Sequence, residues 1–509
     1  MASNKRKLWA LTLSLLLIAG LLAACGGGSG SGSGNSKGSS GGGQSSGSGE
    51  KPVELIFAMP NTGTPMNDLE LVQEEINKIA LQKINATVKF TLIDWAAWNQ
   101  QINLVLAGNE QLDLLVTSAY MNYSSMVAKN QLIPLDDLLQ QYGQGIMEAM
   151  DPVFYEGTRI NGKIYGVSSF RELVADYGFN ARKDLLDKHQ IDLSQVKSFE
   201  DLEPIFQLIK EKEPGMIPLV QRNTSNTVVN DMIASRVDNL GDGMGVLMLD
   251  DNNTTVVNLY ETPQYREAVE LARKWYNAGY IASDAATSQE GYVALMKAGK
   301  GFGYFSNMKP GFEAQETGLI GYEIEGVRLT PAVGGSSGPV AFMISIPSNS
   351  KHPEKAMQFM NLLYTDADIM NLLTLGIEGK HYVKTDNGQV RVPDGVESSG
   401  YVFNQWLIGN NSLTYVWEGW DPNQWENLKA FNRNAVYSPA LGFLFDADKV
   451  KTEVAAVSNV ISEYKAGLES GAVDPNVLPK FIEDLKKAGI DTIIAEKQRQ
   501  LDEFLAANQ

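Results

Sequence analysis

The sequence predicts an α/β protein with two domains built on mainly parallel sheets, and three observations carry that expectation. Residues 53 to 118 alternate strand and helix periodicities in the order βαβαβ, a second βα run begins near Val174, and the chain from Lys51 onward is far longer than one ordinary domain.

"VELIFAM" (Val53 to Met59) alternates apolar residues as a strand does. "NDLELVQEEINKIALQKI" then carries Leu69, Val72, Ile76 and Ala80 at helical spacing, with Asn67 and Glu70 placed as a loose capping box. A strand "TVKFTLI" (Thr87 to Ile93), a helix from Trp98 to Ala107 and a strand "LDLLVTS" (Leu112 to Ser118) complete the run. Strands joined through helices in this way pair in parallel with right-handed crossovers.

Ligands of open parallel sheets bind beyond the carboxyl ends of the strands. Those ends are Asn61-Thr62-Gly63, Asp94-Trp95, and Ser118-Ala119-Tyr120 with Asn122 and Tyr123, all polar or aromatic. Loop ends are polar in any protein, and Trp95 suits a partial cover for the sheet as well as a ligand contact. The agreement of three ends marks this edge as a candidate site. Trp98, one turn into the helix, is expected to pack against the sheet.

A tight Asn161-Gly162 turn, a short strand and the crossing Phe170 to Leu173 mark a change of domain. Strand "VADYGFN" (Val174 to Asn180) and a helix follow. "SFEDLEPIFQLIKEKEPG" starts a further helix at Ser198, buries Leu202, Ile205, Phe206 and Ile209, and stops at Pro214-Gly215. Strand "MIPLV" ends in Gln221-Arg222-Asn223, and a helix from Thr262 to Ala278 has Pro263 in its first turn and Gly279 past its end.

The N-terminal segment has a separate logic. Lys5, Arg6 and Lys7 precede an apolar run, Leu8 to Leu21, and Leu22-Ala23-Ala24 supply small residues before Cys25, the only cysteine. This resembles the lipobox of bacterial lipoproteins. The resemblance implies that residues 1–24 are a signal peptide and that Cys25 becomes a lipidated N-terminus. The Gly/Ser-rich stretch to residue 50 then behaves as a flexible tether reaching roughly 25 to 30 Å, and two acyl chains suffice for stable anchoring.

Removal of Lys5, Arg6 and Lys7 takes the formal net charge from −18 to −21. Such a surface repels nucleic-acid phosphates and anionic headgroups alike. With no cysteine beyond Cys25, disulfide, thiolate-zinc and cysteine-nucleophile chemistry are excluded together.

The order of "NGKIYGVSS", "LMKAGKGFGYFSNMKPGF", "GPVAFMISIPSNSKHPEKAMQFMNLL" and "GIEGKHY" resembles the extracellular solute-binding proteins of ABC importers, the group that includes maltose-binding protein. The tail from "NQWLIGNNSLTYVWEGW" to "AEKQRQLDEF" is closer still to a lipoprotein subgroup of thick-walled bacteria. The resemblance implies a class II binding-protein fold with two α/β lobes and the ligand between them. It gives lobe 1 residues 52–168 and 283–345, lobe 2 residues 174–280 and 350–445, and a closing helical segment 446–509. It also implies a monomer anchored outside the cell membrane that serves a membrane permease; no cofactor is expected.

A sugar site wants flat aromatic side chains for C–H faces and amides, carboxylates or arginines at the rim. On this reading the ligand contacts are Asn61, Trp95, Ser118, Tyr120, Ser168, Tyr304, Asn307, Trp417 and Glu418. A peptide or amino acid would favour a carboxylate clamp, for which Arg171 and Arg222 are the seeds. The oligosaccharide reading leads, the peptide or small-solute reading follows, and a glycoside-active enzyme or an adhesin comes after.

Enzyme motifs are weak. "GGSSG" (Gly334 to Gly338) matches the G-x-S-x-G pattern with Ser336 at its centre, but Pro339 and a strand follow where the elbow needs a helix. His189, His352 and His381 lie far apart. "LDDNN" and "TDNG" read as hairpin turns, and "FDAD" lacks the spacing of a calcium loop. Glu418 in "YVWEGW" suits a glycosidase carboxylate only if a second one faces it.

Overall fold

The computed structural model describes residues 51–108, 110–250 and 253–507. The segment 1–24 expected to be a signal peptide, Cys25 expected to be lipidated, and the Gly/Ser-rich stretch lie outside the described residues. Residues 51–509 form one compact unit.

The chain opens with β1 (Val53–Asn61), α1 (Leu69–Ile84), β2 (Ala86–Asp94), α2 (Trp98–Ala107) and β3 (Leu114–Thr117). β1 pairs in parallel with both β2 and β3, so the βαβαβ reading holds. Val72, Ile76 and Ala80 are buried on α1, as their spacing requires. The capping box does not form: Asp68 stands at the N-cap without a side-chain cap bond. The Asn67 amide bonds the Gly400 carbonyl instead, because Met66 bridges to Tyr401.

A short β4 (Val167–Ser168) precedes the first crossing. Beyond it come β5 (Asp176–Arg182), α3 (Glu203–Lys212), β6 (Ile217–Val220), α4 (Pro263–Asn277), β7 (Gly301–Met308), α5 (Phe312–Ile320) and β8 (Ile324–Arg328). After a second crossing follow β9 (Met343–Ser345), α6 (Pro353–Thr365), α7 (Ala367–Leu375) and α8 (Gln424–Arg433), and after a third α9 (Lys451–Glu469), α10 (Leu478–Ala488) and α11 (Ile490–Ala507).

Two sheets result. The first has the order β2-β1-β3-β9-β4, and the second β8-β5-β7-β6. Each carries its own core: Phe57, Ile76, Trp98, Leu115, Met343 and Phe359 in the first, and Phe179, Phe206, Trp275, Phe302, Phe305 and Phe481 in the second.

This arrangement corrects the expected lobe returns, which are exchanged. β7 and β8 pair with β5 and β6, so the stretch from residue 301 to 328 belongs with lobe 2 and not lobe 1. The reason is steric: a Cβ on Gly303 would lie 2.3 Å from the Phe179 ring, so the "GFG" of β7 is shaped for close approach to β5. Conversely, Met357, Phe359 and Met360 of α6 and Met370 of α7 fill the first core, which takes residues 350–428 away from lobe 2. The C-terminal helices form no separate body, since Val457, Leu468, Phe481 and Ile490 complete the second core.

The three crossings lie side by side. Ala175 bridges Val333, and Val333–Gly334 pairs in parallel with Val436–Tyr437.

Candidate functional site

A cavity of about 310 Å³ opens where the first crossing meets the two lobes. One wall comes from the segment Ser399 to Leu428 of the first core, and the other from Lys309, Pro310, Gly311 and Gln315 after β7. Four of the chain's eight tryptophans line it, Trp406, Trp417, Trp420 and Trp425. A fifth, Trp95, stands edge-on to Trp406 with ring centroids 6.4 Å apart. Phe342 tucks against Trp406 at 4.7 Å, and the Arg171 guanidinium lies 5.7 Å from the Phe342 ring centre.

The aromatic surfaces are held in place by ordinary bonds. Trp425 Nε1 donates to the Thr414 carbonyl at 2.9 Å, and its ring meets Phe170 edge-on. Asn404 donates to Thr62 Oγ1 just beyond β1, which ties the 399–428 segment to the first strand end. Asn411, buried in the cavity wall, donates to the Phe170 and Gln405 carbonyls. Its own Oδ1 accepts from no protein donor among the described residues.

The charged groups of the wall are Arg171, Glu172 and Lys309. Glu172 lies 3.3 Å from Arg171 and 3.5 Å from Lys309. Burial pushes its carboxyl up, but the two cations outweigh burial and hold it below its ordinary value. The arrangement offers flat apolar faces, amide donors and acceptors, and one neutralised carboxylate.

Arg171 and Trp417 line this cavity, and Trp95 borders it through Trp406. Trp95 is 44% exposed and Tyr120 65% exposed. Asn61 donates to Asp94 at 3.0 Å. Asn307 is exposed at the end of β7 and accepts from Arg222 at 3.1 Å. Glu418 is exposed beside Trp417, its amide bonded to the Val390 carbonyl. Trp417 and Glu418 sit on the first-core wall, not in lobe 2 as expected, because Trp417 packs with Leu375 and Val390.

Four ligand-contact candidates go elsewhere, as does Ser336 of the G-x-S-x-G pattern. Tyr304 is fully buried and donates to Glu316 at 2.7 Å, so it is a core residue. Ser118 is buried and caps the turn after β3 by accepting from the Tyr120 amide. Ser168 is buried, its carbonyl accepting from Tyr364. Arg222 is held by the buried Asp231, whose carboxyl burial pushes up to about 6 even beside that guanidinium. Ser336 is buried and donates to Asp238 at 2.8 Å, with no helix behind it.

Trp406, Trp420 and Trp425 were missed by a strand-end rule. For Trp420 and Trp425 the signal was nonetheless in "WEGWDPNQWENL", where three tryptophans fall within nine residues.

The sequence profile described as "Bacterial extracellular solute-binding protein" matches residues 65–370. A relative from Streptococcus pneumoniae serotype 4, named a carbohydrate ABC transporter substrate-binding protein, is 30% identical over 90% of this chain and 92% of its own length. The chain belongs to the bacterial extracellular solute-binding protein family. A second profile, a domain of unknown function (DUF3502), matches residues 439–506. Among solved structures, the N-glycan transport solute-binding protein NgtS of S. pneumoniae aligns with a TM-score of 0.80 at 30% identity, covering 90% of this chain and 100% of that one. The same protein in complex with Man5GlcNAc aligns at 0.65 and 29% identity, covering 90% and 100%. These neighbours share the two-lobed binding-protein fold. Among the described residues no helix is long and apolar enough to cross a membrane.

Proposed function

We propose that this chain captures an oligosaccharide in the tryptophan-lined cavity by closure of its lobes and presents it to an ABC permease. The observation that carries the reading is the gathering of Trp406, Trp417, Trp420 and Trp425 on one wall, facing Lys309 and Gln315 on the other. Indole faces match the C–H faces of pyranose rings, and Gln315 and Gln424 suit hydroxyl rims. The similarity to NgtS, solved with Man1GlcNAc and Man5GlcNAc, supports a carbohydrate.

The reading is one of binding without catalysis. Glu172, the carboxylate in the wall, is engaged by two cations, so among the described residues lining the cavity there is no free carboxylate pair of the kind that flanks a glycosidic bond. Cys25 serves as the lipid anchor, and the protein works as a monomer on the outer face of the membrane.

A thermal-shift panel of neutral and acidic oligosaccharides set against short peptides tests it. A sugar at a hundred times its Kd raises stability by about 2.7 kcal/mol. Stabilisation by peptides and by no sugar would replace the reading.

A further inference from the structure

Arg222 follows the carboxyl end of β6, outside the tryptophan-lined cavity. Its Nε and Nη2 donate to the two oxygens of Asp231 at 3.1 and 2.5 Å, and its Nη1 donates to Asn307 at 3.1 Å. Those bonds use three of the guanidinium's N–H donors and leave donors on Nη1 and Nη2 without a partner among the described residues. Asp231 is 1% exposed on the short helix Val228–Ile233, whereas the Arg222 side chain keeps 15% of its surface open. That helix is braced at its cap, where the Thr227 hydroxyl donates to Glu469, buried at the end of α9. Glu469 also accepts from Tyr265 at 3.2 Å and belongs to the segment matched by the profile of unknown function.

Arg222 stands on the edge of lobe 2 that meets the crossings. Asn307 pairs with Tyr177 between β7 and β5 and comes two residues before Lys309 of the cavity wall. Tyr177 donates its amide to Thr330 at the start of the second crossing. The first-lobe edge adjoins that same crossing: the Trp95 ring lies 6.1 Å from Phe342, and the Ala119 amide donates to the Val340 carbonyl. This edge carries Trp95 and Tyr120, the most exposed aromatic side chains among the described residues.

Stability does not account for the Arg222–Asp231 pair. Burial pushes the Asp231 carboxyl up to about 6 even with the guanidinium alongside, and a buried pair of that kind adds little to the fold. The tryptophan-lined cavity, at about 310 Å³, lies at the small end of ligand pockets, which run from roughly 300 to 1,000 Å³. It has room for the end of an oligosaccharide and not for a long one. We propose that Arg222 is a second ligand contact, on lobe 2, which donates to hydroxyls of a neutral oligosaccharide extending from the tryptophan-lined cavity along the crossings, with Asp231 as its positioning residue. This rests on the assignment of that cavity to a sugar. Asp231 balances the charge of the guanidinium, so the two free donors suit a pair of hydroxyls and not the carboxylate of an acidic sugar.

The test is calorimetric titration of the full chain with Man1GlcNAc, Man5GlcNAc and an oligomer of galacturonate. Arg222→Gln, Arg222→Lys and Asp231→Asn are compared with the parent, and Trp406→Ala reports on the cavity alone. Arg222→Gln is expected to weaken Man5GlcNAc about ten- to hundredfold, the worth of hydrogen bonds from a charged donor, and to leave Man1GlcNAc unchanged. Arg222→Lys keeps the charge without the fork and should lose as much. Asp231→Asn should show the same selective loss, and Trp406→Ala should weaken both glycans.

Unchanged Man5GlcNAc affinity in Arg222→Gln overturns the proposal, and the cavity reading survives it if Trp406→Ala still weakens both glycans. Unchanged affinity in Trp406→Ala as well takes the cavity reading down with it. An equal loss of both glycans in Arg222→Gln, with a lower melting temperature, makes Arg222 a brace of lobe 2 and overturns the proposal. It falls also if the parent binds neither neutral glycan, or binds the galacturonate oligomer more tightly than Man5GlcNAc.

Discussion

Lys309 Nζ lies 3.5 Å from the Glu172 carboxylate, joining the end of β7 in the second lobe to the first crossing at the cavity wall. Together with Arg171 this cation keeps the Glu172 carboxyl below its ordinary value of 4.5 despite burial. A lowered folded-state pKa contributes stability that is complete above the unfolded value and is lost as pH falls through the folded one. Melting temperature measured between about pH 5 and pH 3 should therefore fall more steeply in the wild type than in Glu172→Gln. Parallel curves would mean that the pair contributes nothing to the acid limb.

Trp406 and Trp98 separate ligand contact from core. Trp406→Ala removes an indole from the cavity wall and is expected to cost roughly 1.5 to 3 kcal/mol of apolar contact, a ten- to hundredfold loss of sugar affinity, with the fold retained. Trp98 is 1% exposed beneath the first sheet. Trp98→Ala should cost about 3 to 5 kcal/mol of stability and leave affinity near normal in the folded fraction. Calorimetric titration and melting of both variants check the pair of outcomes; normal affinity in Trp406→Ala would remove it from the site.

Tyr304→Phe deletes one of two phenol donors to the buried Glu316, the other being Tyr292 at 2.9 Å. A buried carboxylate losing a donor costs about 1 to 3 kcal/mol. Denaturant unfolding should register that loss while sugar affinity stays unchanged. A selective loss of affinity would return Tyr304 to the cleft.

Cys25→Ser tests the tether. The variant should appear in the medium or retain its leader, as read by fractionation and intact mass. Membrane partitioning at mature mass would show that the thiol is not the anchor.

The first 65 residues of the folded body were legible because each element states its own period: Val72, Ile76 and Ala80 lie four residues apart and are buried in the structure. The exchanged lobe returns were not legible, because pairing partners across 120 residues leave no local trace. Gly303 against Phe179 decides them, and a glycine in a strand does not say which neighbour comes close. Tyr304 misled for a related reason. The family resemblance returned its strand to the cleft, but Glu316 and Tyr292, which make its surroundings a core, lie on helices whose docking the sequence does not state. Trp95 and Arg171 stand out in the sequence at strand-end and crossing positions, whereas Trp406 sits on a single short turn that no periodicity flags and Trp425 in the first turn of α8.

The central claim is closure around a sugar, and the most direct measurement is the radius of gyration of the body from Lys51 onward, by small-angle scattering, with and without the oligosaccharide that raises its melting temperature. A ligand that touches the tryptophan wall and the Lys309 wall together favours the closed state, so the radius should shrink on saturation. An unchanged radius at saturation would contradict closure and leave a preformed pocket.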